Sequence, residues 1–178
     1  MTFQETSIEG AWLVRVEKMH DERGYFARTW CKHEFATHGL SDELVQCSIA
    51  HNRVKGTLRG MHFQREPYSE CKLVRCTKGA VYDVIIDLRP ASLTFKRHFG
   101  IELTAASCDA LYVPRGCAHG YLTLTDDADL FYQMSQFYSS EHAAGVRWND
   151  PAFGVAWPAP VRVISRRDAE YPDFAEAK

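Results

Sequence analysis

No stretch of this 178-residue chain approaches the roughly 20 consecutive apolar residues that cross a bilayer. Nor is charge of either sign in excess. The formal net charge is -2, which gives no electrostatic ground for expecting nucleic acid or a membrane surface as partner. The opening MTFQETSIEGAW lacks the basic and apolar segments of a secretion signal. The six cysteines, at positions 31, 47, 71, 76, 108 and 117, include no CxxC pair, and their spacing suggests no zinc site. They read as reduced thiols, mostly buried, in a cytoplasmic protein. No internal repeat, low-complexity stretch or linker divides the chain, so residues 1–178 read as one domain. A hydrophobic content of 46% and an aromatic content of 12% fit a packed core.

What is present is a series of short strands. Residues 12–16 alternate, with Trp12, Val14 and Val16 on one face. Residues 80–89 alternate as well, Val84, Ile86 and Leu88 against Asp83, Ile85 and Asp87. Further strands are expected at 41–52, 97–103, 110–113, 121–125 and 130–138, separated by turn clusters such as Pro114-Arg115-Gly116. The best helix candidate is 30–38, ended by Gly39, and 139–145 reads as a helical turn. The tail from Val146, with Trp148, Trp157 and four prolines, reads as extended chain closing one end. Closely spaced strands without intervening helices predict an all-β, antiparallel sandwich or barrel.

The chemistry concentrates in two strings, Leu58-Arg59-Gly60-Met61-His62-Phe63-Gln64 and Lys72-Leu73-Val74-Arg75-Cys76. Read as strands, they put His62 and Gln64 on one face and Lys72, Val74 and Cys76 on another. A histidine base and a cation beside one cavity suit proton abstraction next to a carbonyl, the cation steadying the enolate oxygen. Taken alone, the pair also describes a surface histidine and a lysine lying along apolar surface. The strand at 130–138 puts Tyr132, Met134, Gln136 and Tyr138 on one face, so Tyr132 can return a proton opposite His62; aromatic packing at a barrel mouth is the other reading. Pro114-Arg115-Gly116-Cys117-Ala118-His119 resembles the second half of a cupin motif. Where metal-binding cupins carry H-x-H and a glutamate, this chain has His62-Phe63-Gln64, with Glu70 further on. His62, Glu70 and His119 are therefore the candidate metal set, short of one strong nitrogen ligand.

Together, Asp21-Glu22-Arg23-Gly24-Tyr25-Phe26, Arg59-Gly60-Met61-His62-Phe63-Gln64, Lys72-Leu73-Val74-Arg75, Val84-Ile85-Ile86-Asp87-Leu88-Arg89, Pro114-Arg115-Gly116-Cys117-Ala118-His119-Gly120 and Trp148-Asn149-Asp150-Pro151 resemble the dTDP-4-dehydrorhamnose 3,5-epimerase family. The resemblance spans residues 21–172. It implies a cupin-type antiparallel barrel or jelly roll with a few short helices, free of metal and cofactor, usually a homodimer with an exchanged N-terminal strand. It implies inversion at carbons alpha to the C4 ketone of a nucleotide-linked 4-keto-6-deoxysugar. By that match His62 is the base, Asp168 its partner, Lys72 the enolate stabiliser and Tyr132 the acid. Arg59, His119 and Tyr138 match positions around the sugar and diphosphate, and Gln46 stands in the nucleotide-reading string. Arg23 and Phe26 match nucleotide contacts made across the dimer. Strict alternation sets Arg59 opposite His62, so its role requires a bend at Gly60.

Four positions depart from the family pattern. Arg28 stands where a glutamate is usual, Cys47-Ser48 where Asp-Asn is usual, and Glu70 where glutamine is common. The expectation is an epimerase that inverts C3, C5 or both, whose altered nucleotide-reading positions leave open whether its sugar nucleotide is dTDP-4-keto-6-deoxyglucose or another. A metal-dependent cupin isomerase or dioxygenase using His62, Glu70 and His119 is the second reading. A ligand-binding cupin without catalysis is the third.

Overall fold

The strand read at 80–89 is buried on both faces because both faces are covered. In the computed structural model, which describes residues 1–41 and 43–175, Ile85 points into the space between two sheets while Val84 and Ile86 point to the far side; all three are buried. In chain order the described elements are β1 (Thr2–Glu5), β2 (Trp12–Arg15), β3 (Met19–Asp21), β4 (Gly24–Phe26), α1 (Lys32–Thr37), β5 (Gln46–Asn52), β6 (Thr57–Gln64), β7 (Lys72–Lys78) and β8 (Ala80–Asp87). There follow β9 (His98–Thr104), β10 (Ala110–Val113), β11 (Cys117–Thr123), β12 (Ala128–Met134), β13 (Ala143–Gly145), β14 (Val163–Ile164) and α2 (Arg166–Ala169).

One sheet runs β1-β2-β10-β7-β12-β5 and the other β13-β6-β11-β8-β9, with β14 beside β6; β3 and β4 form a separate hairpin. All neighbours are antiparallel except β14 on β6. Leu13, Val74, Leu111 and Leu130 of the first sheet meet Val81, Ile85, Leu103 and Tyr121 of the second in a shared dry core. These are two open sheets face to face, the jelly-roll form of the expectation; among the described residues no ladder joins them into a closed barrel.

The outer faces explain the remaining chain. Val14, Leu73 and Ala110 on the first sheet are covered by Phe35 of α1, with Leu40 and Trp30. Met61, Val84, Ile86 and Ala118 on the second are covered by Val146, Phe153, Trp157 and Phe174. The tail thus lies along a sheet face, where it removes apolar surface from water at about 25 cal/mol per Å², and does not simply close an end. Other boundaries moved for local reasons. The expected helix at 30–38 is confined to Lys32–Thr37, and Gly39 follows it at φ +68. The strand expected at 41–52 begins at Gln46, and that expected at 130–138 ends at Met134. Residues 139–145 are not a helical turn throughout: Ala143–Gly145 pairs with the edge of β6, because that edge offers unpaired backbone groups.

Candidate active site

The bend required at Gly60 is present. Gly60 has φ +136, and the β6–β11 register shifts between His119 and Tyr121. A Cβ on Gly60 would meet the Gly120 Cα at 2.5 Å, and one on Gly120 would meet the Met61 Sδ at 2.6 Å, so both positions require glycine. The bulge re-aims the strand, and Arg59 and His62 both line the same cavity despite their spacing.

That cavity, about 420 Å³, occupies the part of the intersheet space the dry core leaves open. It is within the range that holds a small ligand. The second sheet contributes Arg59, His62 and His119; the first contributes Gln46, Ser48, Lys72, Tyr132 and Met134. The face of β7 that carries Val74 and Cys76 into the core therefore delivers Lys72 to the cavity. The lining holds three cationic side chains, Arg59, Lys72 and Arg167, against one carboxylate, Glu70. That balance favours an anionic ligand.

His62 Nε2 meets Asp168 Oδ1 at 2.7 Å, and the Lys72 Nζ donates to the His62 carbonyl at 3.4 Å. Asp168 Oδ2 accepts the Gly60 N–H at 3.2 Å, and the Ser165 hydroxyl caps the helix that carries Asp168. Burial pushes the Asp168 carboxyl up, but the His62 ring and the Gly60 and Ser165 hydrogen bonds together hold it below its usual value. It is therefore an anion fixing one ring nitrogen, which leaves the other for a ligand's proton. Tyr132 stands on the facing sheet, edge-on to the His119 ring at 6.0 Å between centroids. Burial above all, with Tyr121 beside it, drives the Tyr132 phenol well above its ordinary value, so it holds its proton at neutral pH.

Beneath these lies a polar floor. His119 Nε2 is 3.0 Å from each Asp83 oxygen. Asn52 Oδ1 accepts from both Arg59 Nε at 2.8 Å and the Tyr121 hydroxyl at 3.2 Å. Asp83 had a visible signal, a carboxylate inside an otherwise apolar strand. Nothing in the local pattern points to Asn52, Tyr121 or Arg167.

A model of the family described as dTDP-4-dehydrorhamnose 3,5-epimerase matches residues 5–176. The chain belongs to the dTDP-4-dehydrorhamnose 3,5-epimerase family. It is 40% identical over 177 residues to the dTDP-4-dehydrorhamnose 3,5-epimerase of Sinorhizobium fredii, covering 99% of this chain and 91% of the relative. The crystal structure of the enzyme of that name from Elizabethkingia anophelis superposes with a TM-score of 0.95 at 34% identity, covering 98% and 96% of the two chains. The one from Bacillus anthracis, crystallised with TDP and PPi, gives 0.93 at 36%, covering 97% and 99%. The chain is accordingly an isomerase of mainly antiparallel β fold, an epimerase of a nucleotide-linked 4-keto-6-deoxyhexose in deoxysugar biosynthesis.

Of the residues the sequence singled out for this family's site, the structure gathers His62, Lys72, Tyr132, Gln46, Arg59, His119 and Tyr138 on one cavity, with Asp168 behind His62. Gln46 Oε1 accepts the Tyr138 N–H at 2.9 Å, so it also shapes the rim. Arg23 and Phe26 lie outside it, exposed on the β3–β4 hairpin. The metal set does not converge: His62 is on Asp168, His119 on Asp83 and Glu70 on Lys72, and among the described residues no three His, Cys, Asp or Glu side chains could hold an ion. Gln64 spends its amide on the Tyr68 and Phe137 carbonyls and the Ser139 N–H, bracing loops. Among the departures, Arg28 pairs with Glu34 away from the cavity, whereas Ser48 and Glu70 line it. The cysteines are free; Cys71, Cys76 and Cys117 are buried, Cys31 and Cys108 half-buried, and Cys47 exposed.

Proposed function

We propose that this chain epimerises a dTDP-linked 4-keto-6-deoxyhexose by a base and an acid on opposite walls, with His62 as the base and Tyr132 as the acid. The observation that carries this is the His62–Asp168 contact at 2.7 Å on one sheet, with Tyr132 on the other. His62 takes the proton from a carbon flanking the C4 ketone. The C–H electron pair becomes the new C=C bond, and the carbonyl pair moves to O4, where the Lys72 ammonium steadies the charge. Tyr132 then gives its proton to the opposite face of that carbon. The phenolate is reprotonated from solvent and His62 releases its proton there, so the cycle closes with one centre inverted. Asp168 holds the His62 tautomer and steadies the imidazolium between the two transfers.

Arg59, His119, Gln46 and Tyr138 serve substrate binding in this reading, with Arg167, whose side chain lines the cavity and whose pKa is raised above its ordinary value, Tyr138 foremost among the causes. The two arginines give the diphosphate its counter-charge. Residues 1–178 act as one epimerase unit in a homodimer that exchanges its N-terminal segment. Support comes from the hairpin carrying Met19, Tyr25 and Phe26, all exposed large apolar side chains, with Arg23 at its turn. Such a hairpin suits a partner's cavity mouth better than water. Six unpaired thiols suit a reducing compartment, the cytoplasm; among the described residues no helix is long and apolar enough to cross a membrane.

Incubation with dTDP-4-keto-6-deoxyglucose in D2O tests the reading. It predicts deuterium at each inverted carbon, and the labelled positions show whether C3, C5 or both turn over. It further predicts that dTDP raises the Tm more than GDP, CDP or UDP, since a ligand at a hundredfold excess over its Kd adds about 2.7 kcal/mol. Absence of label and of any nucleotide shift overturns it.

A further inference from the structure

One buried amide lies behind the cavity wall. Asn52, at the end of β5, is 2% exposed. Its Nδ2 donates to the Ala50 carbonyl at 3.1 Å and to the Ala128 carbonyl at 3.0 Å. Turned over, the amide would set its oxygen against both carbonyls, so its orientation is fixed. Its Oδ1 accepts from Arg59 Nε at 2.8 Å and from the Tyr121 hydroxyl at 3.2 Å. Two donors and two acceptor sites are thereby all filled, and Asn52 has nothing left to offer a ligand. Arg59, by contrast, is the one exposed side chain of β6, and it lines the cavity. Its contacts are one-sided: Nε goes to Asn52 and Nη2 to the His51 carbonyl at 3.2 Å. These make up one edge of the planar fork. The other edge, Nη1 with the second hydrogen of Nη2, has no partner among the described residues. Both acceptors are neutral, so, unlike the Lys72 ammonium on Glu70, the guanidinium keeps its charge for an anion.

We propose that Asn52 is a positioning residue for substrate binding that acts through Arg59, resting on the reading of this cavity as an epimerase site. It holds the guanidinium by one edge and leaves the other edge for the diphosphate of the sugar nucleotide. A free arginine gives up rotamer freedom when it grips a phosphate. One already seated loses less, and the difference appears as affinity. The diphosphate does not react, so the contact is worth the same in ground state and transition state. Its loss therefore belongs in KM, with little of it in kcat.

Titration calorimetry with dTDP on wild type, Asn52→Ala, Arg59→Ala and the double variant tests this. Asn52→Ala should weaken dTDP about fivefold or more in the wild-type background. It should weaken dTDP less than about twofold where Arg59 is already alanine, because nothing is then left to position. With dTDP-4-keto-6-deoxyglucose as substrate, Asn52→Ala should act on KM far more than on kcat. Melting curves confirm that each variant is folded. Asn52→Ser, which keeps a donor for the strand carbonyls but is too short to reach Arg59, should match Asn52→Ala and replaces it if the alanine variant does not fold. Unchanged affinity, equal losses in both backgrounds, or a loss confined to kcat would make Asn52 a brace of β5 alone; each overturns the proposal and leaves the epimerase reading in place. If wild type neither binds dTDP nor labels the sugar in D2O, the epimerase reading itself fails, and the proposal fails with it.

Discussion

Two His–Asp pairs stand on neighbouring strands of one sheet, His62 directly opposite His119 in the β6–β11 ladder. They are built from the same groups and differ in access. The His62 side chain is 40% exposed and its Asp168 partner 5%, whereas His119 and Asp83 are 4% and 0% exposed. Asp168 offers His62 one oxygen and ties the other to the Gly60 N–H; Asp83 places both oxygens at 3.0 Å from His119. A ring with one nitrogen fixed and the other facing a cavity can take up and release a proton. A ring held between Asp83 and Tyr132 at 4% exposure is fixed in place in the cavity floor. Exposure, more than residue type, separates the ring proposed as the base from the ring held in the floor.

Breaking the open pair should give the largest effect. Asp168→Asn keeps the shape but loses the charge that sets the tautomer, and kcat should fall about 10³- to 10⁴-fold. A fall under tenfold in steady-state assays would mean that Asp168 does not orient His62. Tyr132→Phe comes next. Turnover to the inverted product should drop about 10²- to 10³-fold, while deuterium still enters with retention, because His62 can return a proton to the face it came from. Inversion at the wild-type rate in NMR time courses would remove Tyr132 from the acid role.

Breaking the enclosed pair sharpens the contrast from the other side. Asp83→Ala strands a buried imidazole and should cost about 3 kcal/mol in urea unfolding, with a smaller effect on kcat than Asp168→Asn. If the two aspartate variants lose activity and stability in equal measure, access is not what distinguishes the pairs.

The smallest effect concerns a carboxylate remote from both. Asp87 is buried; burial raises its pKa, but Arg89, Ser92 and Thr94 outweigh that and hold it at about 2, against 3.8 unfolded. A depressed folded pKa adds stability that is complete above the unfolded value and is lost as pH falls from 3.8 toward 2. The contribution is about 2 kcal/mol. Asp87→Asn should lower stability by that order at neutral pH and flatten the acid limb of a Tm–pH profile below pH 4 or so; an unchanged limb would assign it to other carboxylates.

Much of this was legible in the chain. Alternation in β8 and β12 placed Val84, Ile86, Tyr132 and Met134 correctly, because period two is a property of the extended backbone itself. The conflict between Arg59 and His62 located the bulge at Gly60, since only a glycine could resolve it. By contrast, Asp168 reaches His62 across 106 positions, a pairing set by how β14 docks on β6, and only family resemblance foresaw it. The path of the tail was misjudged for a related reason: the outward residues of the second sheet create its binding face, and no local pattern in 146–175 names that face. Asn52 at the end of β5, Tyr121 inside β11 and Arg167 in α2 stayed hidden because nothing local distinguishes such side chains until packing chooses among them.

Solvent-derived deuterium entering the sugar of dTDP-4-keto-6-deoxyglucose, followed for wild type and His62→Ala, bears most directly on the claim that the exposed ring is the base. Loss of label at every carbon the wild type labels, with the Tm retained, is the predicted result. Label entering His62→Ala at the wild-type rate would contradict it.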